Sequence, residues 1–381
     1  MIPRAIEPVL KKALRQFPVV VLTGPRQSGK TTIVENLAGY KYVNLEHPDL
    51  REYAREDSRG FLSEYGKGKL VIDEAQYVPQ LFSYIQAESD KHKKPGKFVL
   101  TGSQNFLLLQ NISQSLAGRT AILELLPLSV AELQAAGKLP ATYEQFIFKG
   151  GYPRLYGTKA NKQLMMSGYI RTYVERDVRQ IVNVQNLSLF NKFLKSCAAR
   201  VGQLLNYSSI GNELGIDHKT IMKWMSILQS SYIIYLLQPY HRNFNKRLVK
   251  TPKLYFYDTG LATELLGLQD VKHLYTYPQR GELYENLVLT ELIKRRLNNG
   301  TQPNLCFWRD STGNEVDFIE EIGSNTEAYE VKSAKTITPT LFRGLETLKA
   351  LSGSNIGLNL VYGGVENTQR NGIDVLNWKG L

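Results

Sequence analysis

Short apolar runs alternate with longer amphipathic stretches over the first third of the chain. The runs fall at residues 18–23, 40–45, 69–72, 97–101 and 120–125, with helix-length segments between them. That spacing predicts a parallel α/β sheet, because parallel strands need a crossover connection long enough to hold a helix. From about residue 129 to 238 the apolar positions follow a helical period, and the segment is expected to be mostly helical. Strand-like runs return near 304–308, 315–320 and 327–332. Gly150-Gly151-Tyr152-Pro153 and Tyr277-Pro278-Gln279-Arg280-Gly281 read as joints, since glycine and proline break both periods.

A chain of 381 residues exceeds one ordinary core and predicts two or three compact units. No apolar run is long enough to cross a bilayer, and the N-terminus lacks the apolar stretch of a signal peptide. A cytoplasmic protein without a membrane partner is therefore expected. The two cysteines, Cys197 and Cys306, lie far apart and exclude a disulfide framework. Five scattered histidines argue against zinc. Lys plus Arg exceeds Asp plus Glu by 47 to 35, a net charge of +12. The excess favours polyanionic partners only weakly, because many proteins are basic without one.

The most specific chemistry follows the first apolar run. Gly24-Pro25-Arg26-Gln27-Ser28-Gly29-Lys30-Thr31 comes directly after Val19-Val20-Val21-Leu22, and a helical stretch opens at Thr32. This G-x-x-x-x-G-K-T stands in the strand–loop–helix context that a phosphate-binding loop requires. Its glycines let backbone N–H groups curl around phosphates, and the helix start adds donors and a favourable dipole. Lys30 is expected to reach the β- and γ-phosphates of ATP and Thr31 to ligate Mg²⁺, with Thr32 beside them.

The apolar strand Leu70-Val71-Ile72 ends in Asp73-Glu74. A carboxylate at a strand's C-terminal end suits Mg²⁺, held through water by Asp73, and the next, Glu74, suits the base that polarises the attacking water. A third strand ends in Thr101-Gly102-Ser103-Gln104. Ser103 or Gln104 is a candidate γ-phosphate sensor, and an ordinary Gly-Ser turn remains the plain alternative.

Together these three pieces resemble the AAA superfamily of P-loop ATPases. The resemblance implies an arginine finger just before the strand after the sensor strand, and Arg119 occupies that place. It would act across a subunit boundary in a homo-oligomer; the alternative is a surface arginine. Arg154, after the Gly150-Gly151 joint, is a weaker candidate for a second sensor carried by a helical lid.

In the middle, Tyr207–Leu214 reads as a short helix closed by Gly215, and Asp217 is placed to cap a second helix. Ile221, Trp224, Met225 and Leu228 then recur at helical spacing. Two short helices joined by a glycine turn resemble a helix-turn-helix. The apolar runs at 232–237 and 253–257 bracket a basic loop, as in a winged helix. From His218 to Tyr257 there is no Asp or Glu, while Lys219, Lys223, Arg242, Lys246, Arg247, Lys250 and Lys253 fall within the stretch. One-sided charge of this kind suits contacts to DNA phosphates, with Lys219, Lys223, Arg242, Lys246 and Arg247 as the candidate contacts. The alternative is a winged helix used only for packing between domains.

Near the C-terminus, Glu282 and Glu285 share a helix face, Asp317 closes a strand, and Glu330 and Lys332 are two apart on another. Asp…Glu-x-Lys after a Glu-bearing helix resembles the PD-(D/E)XK nuclease superfamily. That resemblance implies Asp317 and Glu330 as metal ligands, Lys332 as the lysine that positions the nucleophile and Glu285 as an auxiliary acid. Unrelated strand charges, or the same fold without activity, are the alternatives. The order of parts resembles bacterial and archaeal ATPases with an AAA-type N-terminal domain and a C-terminal domain of unknown function.

The expected fold class is α/β, with an AAA-type parallel-sheet P-loop core at 1–127, a helical lid at 128–195, a winged-helix segment at 196–260 and a restriction-endonuclease-like mixed α/β domain at 261–381. The expected function is Mg²⁺-dependent ATP hydrolysis that controls engagement with DNA. The alternatives are an ATP-gated metal-dependent nuclease and a signalling ATPase whose C-terminal parts bind protein.

Overall fold

The structure is a computed structural model that describes residues 2–92, 94–102, 108, 112, 115–158, 160–174, 186–240, 250–352 and 356–381. Five strands, β1 (Val19–Thr23), β2 (Tyr40–Asn44), β3 (Lys69–Asp73), β4 (Phe98–Thr101) and β5 (Thr120–Glu124), form one sheet in the order β2-β3-β4-β1-β5. Every pair in it is parallel. The five strands expected from the pattern are thus all present, and β4 lies between β1 and β3. The C-terminal tips of all three open on the same edge.

Strand β1 is buried along its whole length. Its side chains alternate between two cores: Val19 and Val21 face one, Val20 and Leu22 the other. Helix α1 (Glu7–Gln16) covers the second face with Leu10 and Ala13, and α2 (Lys30–Glu35) adds Ile33 and Val34. Helices α3 (Pro48–Glu56), α4 (Ser58–Tyr65) and α5 (Leu81–His92) close the first, through Ala54, Phe61, Leu62, Phe82 and Ile85. A sheet covered on both faces is what near-continuous apolar strands require.

The middle is helical, as its period predicts: α6 (Val130–Ala135), α7 (Tyr143–Lys149), α8 (Arg154–Gly157), α9 (Lys162–Tyr169), α10 (Leu187–Ala198), α11 (Tyr207–Leu214) and α12 (His218–Ser230). Gly215 closes α11 at φ +67°, and the Asp217 carboxylate accepts the Thr220 N–H at 3.0 Å to cap α12. The four expected apolar positions of α12, Ile221, Trp224, Met225 and Leu228, are all buried. Trp224 packs edge-on against Phe190 and Phe193 of α10.

Strands β6 (Ile234–Pro239) and β7 (Lys253–Phe256) form an antiparallel hairpin after α12. After α13 (Thr259–Leu265), α14 (Val271–Thr276) and α15 (Arg280–Asn298), the chain adds β8 (Leu305–Arg309), β9 (Glu315–Ile322), β10 (Asn325–Lys332), α16 (Arg343–Ser352), β11 (Ile356–Tyr362), β12 (Thr368–Arg370) and β13 (Ile373–Asn377). The second sheet runs β12-β13-β11-β10-β9-β8-β6-β7. Gln238 and Pro239 of β6 pair in parallel with Cys306 and Phe307 of β8. The hairpin therefore continues the C-terminal sheet across residue 260, and one apolar core extends from Leu126 to Trp378. Strands β11, β12 and β13 are additions to the sequence expectation.

Helix α15 ties this body to the first sheet. It carries Glu291 and Lys294 buried side by side, and their ion pair is 2.8 Å long. Lys294 also donates to the Leu128 carbonyl at 3.0 Å, and Glu291 accepts the Val130 N–H at 2.7 Å. A buried charge pair is tolerated when its remaining donors and acceptors are satisfied, and here they fasten the chain where it leaves β5.

Candidate functional site

The loop between β1 and α2 closes on itself. Gly24 sits at φ +137°, and a Cβ there would lie 2.2 Å from the Leu125 carbonyl oxygen. Gly29 sits at φ +100° and Gln27 at +61°. Only glycine takes the first two positions without strain, so both glycines of the motif are required by the backbone. Lys30 folds back and donates to the carbonyls of Gly24 at 2.9 Å and Pro25 at 2.8 Å. Its side chain is buried, and burial pulls the ammonium down to about 8, against the attraction of Glu74 and Asp73.

Arg4, ahead of α1, braces the loop from behind. It donates to the Ser28 carbonyl at 2.7 Å and the Leu126 carbonyl at 2.6 Å, and pairs with Glu132 of α6 at 2.9 Å. Glu132 also closes a capping box with Ser129. None of this is legible in the motif, because Arg4 and Glu132 are 128 residues apart.

Thr31 donates to Asp73 Oδ2 at 2.8 Å. Tyr42 on β2 donates to the same oxygen at 2.8 Å. Thr101 on β4 donates to Oδ1, and the Glu74 N–H reaches that oxygen at 3.1 Å. Asp73 is almost wholly buried, and these four donors satisfy both of its oxygens. Burial and the Asp73 contact push the Tyr42 phenol well above its ordinary value. Tyr42 and Thr101 were not singled out in the sequence; only their places on the strands flanking β3 would have found them. Glu74 follows in the left-handed region at φ +55°, and Gln76 donates to its Oε2 at 2.5 Å. Strain at an acidic residue beside a phosphate loop is a mark of a functional position.

Arg26, Gln27, Lys30, Thr31, Glu74 and Arg154 line one cleft of about 490 Å³. Arg154 arrives from the Gly150-Gly151 joint. Gly151 N–H donates to Asp258 at 2.7 Å, and the Gly151 carbonyl accepts the Leu128 N–H at 2.7 Å. A Cβ on Gly150 would lie 2.3 Å from the Asp258 carboxylate. Burial raises the Asp258 carboxyl above its ordinary value, opposed by the Gly151 hydrogen bond. A second cavity of about 410 Å³ adjoins the cleft at Gly29, Thr32 and Pro153 and is walled by Ile2, Leu10, Ile33, Leu37 and Leu128.

The oxygen donors of Thr31 and Asp73 form a hard set next to the loop, and they fit the Mg²⁺ that the nucleotide site implies. Ser103 and Gln104 lie outside the described residues. Arg119 precedes β5, at the sheet edge away from the loop. It is half-buried and forms a two-pronged pair with Asp90 of α5 at 2.5 and 3.0 Å. Within one subunit it does not meet the cleft.

The C-terminal residues do converge. Lys332 pairs with Glu330 at 2.6 Å and approaches Asp317 at 3.7 Å. Asp317 Oδ2 also accepts the Val331 N–H at 2.8 Å. Lys253 of β7 enters the same cluster. It pairs with Glu285 at 3.0 Å, contacts Glu315, and stands 4.0 Å from Asp317, while Tyr255 donates to Glu285. Burial opposes the Lys253 charge, but Glu285, Asp317 and Glu315 outweigh it and hold the ammonium above its ordinary value. Burial, then Asp317, pushes Glu285 up to about 7 and Glu330 up to about 8.

Asp317 and Glu330, the expected metal ligands, thus face lysine ammonium groups. Two ammonium groups, those of Lys253 and Lys332, stand among the four carboxylates of Glu285, Glu315, Asp317 and Glu330. Among the described residues no group of three or more His, Cys, Asp or Glu stands ready to hold a metal ion. Lys253, counted in the basic stretch of the sequence, is 3% exposed and faces carboxylates. Lys219 and Lys223 do lie exposed on α12, in line with Met222 and Ser226. Arg242, Lys246 and Arg247 lie outside the described residues. Among the described residues no helix is long and apolar enough to cross a membrane.

Residues 16–134 match the family described as AAA domain. Residues 140–272 and 280–381 match two families described as domains of unknown function, DUF8612 and DUF4143. An uncharacterized protein of Mycobacterium tuberculosis is 30% identical over 344 residues, covering 89% of this chain and 75% of the relative. Uncharacterized proteins of Haemophilus influenzae and Methanocaldococcus jannaschii are each 24% identical, over 73% and 82% of this chain and 74% of each relative. With its loop, its Asp73 strand and this likeness along most of its length, the chain belongs to the family of the Mycobacterium tuberculosis relative and carries an AAA domain of the P-loop ATPase type at residues 16–134.

Proposed function

We propose that the protein is a Mg²⁺-dependent ATPase whose nucleotide state controls its engagement with DNA. The observation that carries the ATPase reading is the Thr31–Asp73 hydrogen bond beside a loop whose lysine already points inward. The N–H groups of Arg26–Thr31 receive the phosphates, and Lys30 exchanges two carbonyls for phosphate oxygens. Thr31 and Asp73 would hold Mg²⁺, which when bound neutralises charge on the phosphates. Glu74 orients the attacking water and takes its proton. The apolar cavity behind Gly29 and Thr32 suits the adenine base, and Pro153-Arg154 lie over the phosphate cleft. Arg119 would complete a neighbour's site in a homo-oligomer after leaving Asp90.

The DNA reading draws on the exposed Lys219 and Lys223 of a capped second helix and on the acid-free stretch from His218 to Tyr257. The winged-helix likeness rests on α11, α12 and the β6–β7 hairpin. ATP turnover with and without duplex DNA over a salt series tests both halves. Turnover stimulated by DNA, with binding that weakens steeply as salt rises, supports the proposal. Turnover indifferent to DNA, with no DNA binding at low salt, leaves the ATPase and favours a protein partner.

Metal-dependent DNA cleavage is the second reading, favoured by the approach of Asp317, Glu330 and Lys332 to one another. The Lys253 ammonium speaks against it. Absence of plasmid nicking with Mg²⁺ or Mn²⁺, where DNA binds, would remove it.

A further inference from the structure

A cavity of about 560 Å³ lies between α7 and the C-terminal sheet, away from the nucleotide cleft. At its wall stands Glu144, in the first turn of α7 and only 1% exposed. Neither of its carboxylate oxygens has a hydrogen-bond partner. The neighbouring Tyr143 hydroxyl donates to the Ser333 carbonyl at 3.0 Å. Among the described residues its one ion-pair contact is the Lys335 ammonium at 3.8 Å, beyond hydrogen-bond range, on a side chain 66% exposed. An exposed, loose contact of that length compensates little of what a buried carboxylate loses on leaving water. Aromatic rings of Tyr143 and Trp378 line the same cavity, and Arg370 and Lys379 stand exposed around it.

We infer that this cavity is a binding site for a guanidinium group carried next to an anionic group. Two free oxygens on one buried carboxylate match the paired N–H donors of a guanidinium, which a single ammonium cannot engage together. The flat cation also suits the aromatic rings. Lys335, displaced from Glu144, joins Arg370 and Lys379 in receiving the anionic neighbour. Free arginine, through its α-carboxylate, and an arginine flanked by acidic residues in a polypeptide both carry this chemistry. Helix α7 runs from Glu144 directly into the Gly150-Gly151 joint, so the ligand would sit at the far end of the element that presents Pro153 and Arg154 to the nucleotide.

The test titrates the full chain with L-arginine, with a capped Glu-Arg-Glu peptide, and with citrulline and a capped Glu-citrulline-Glu peptide, followed by calorimetry and tryptophan fluorescence. Citrulline keeps the shape but lacks the positive charge. Saturable binding of arginine or its peptide, with the citrulline counterpart at least about tenfold weaker, is expected, the size of one charge-assisted hydrogen bond. Binding of free arginine identifies a small-molecule site, and binding of the peptide alone identifies a polypeptide site. Glu144→Gln should weaken the same probe by a similar factor while ATP binding stays unchanged. Equal binding of arginine and citrulline probes, or no saturable binding of either arginine probe to the wild type, overturns the inference without recourse to the variant.

Discussion

The Thr31 hydroxyl reaches Asp73 Oδ2 at 2.8 Å, joining the start of α2 to the tip of β3 across 42 positions of sequence. The bond exists because β4 separates β1 and β3 while keeping their tips on one edge of a parallel sheet. Thr31→Ala and Asp73→Asn should each abolish Mg²⁺-dependent turnover. Glu74→Gln should lower kcat by about 10²–10⁴ while nucleotide still binds, as expected for loss of a general base. Steady-state turnover and equilibrium nucleotide titration measure the two effects separately, and full turnover by Glu74→Gln would contradict the assigned base.

Lys30 makes nucleotide affinity depend on pH. Its folded value of about 8 lies below the ordinary 10.5, so between these the unfolded chain holds more protons and stability rises with pH. Below pH 8 the buried ammonium weighs on the nucleotide-free protein by something on the order of 3 kcal/mol. Lys30→Met should therefore raise the Tm of the nucleotide-free protein at pH 7, with the gain fading by pH 10.5. Affinity for ATP in the wild type should fall as pH rises through 8. A flat affinity profile from pH 6.5 to 9 would place the titration elsewhere.

The Lys253 cluster predicts a structural penalty. Lys253→Met leaves Glu285, Glu315 and Asp317 without their shared ammonium, and urea unfolding should show a loss of about 3–5 kcal/mol. The wild type carries its own pH signature. Glu285 and Glu330, raised to about 7 and 8 from 4.5, hold extra protons in the folded state. Their contribution is full below about pH 4.5 and is lost as pH rises toward 8. Glu285→Gln should flatten that decline and restore part of the stability missing from Lys253→Met at pH 8. A Lys253→Met protein as stable as wild type would show that the cluster is not a clamp.

At the joint, Gly150→Ala places a methyl group 2.3 Å from the Asp258 carboxylate at a φ of +76°. A loss of about 1–3 kcal/mol is expected, together with weaker ATP binding as Pro153-Arg154 shift from the cleft. Gly281→Ala, where a Cβ meets nothing within 4 Å, is the control and should bind ATP normally.

The local sequence was enough to mark the phosphate loop, because its glycines, lysine and threonine act through neighbouring backbone. It marked the Asp73-Glu74 tip, the five strands of the first sheet and the Asp217 cap for the same reason: each depends on residues within one turn or one strand. Strand β11 escaped because Gly357 and Asn359 interrupt its apolar run, and its burial comes from β10 and β13 on either side.

Tertiary structure alone decided what faces the marked residues. Tyr42 and Thr101 became Asp73's partners through strand order, and Arg4 became the loop's brace through a contact across 128 residues. The same held for charge. Lys253 reads in sequence as one more cation of a basic stretch, yet the pairing of β6 with β8 carries the β6–β7 hairpin into the C-terminal sheet and turns it onto Glu285, Glu315 and Asp317. A residue's charge is written in the chain, but whether it meets water, phosphate or carboxylate is set by which distant strand lies alongside.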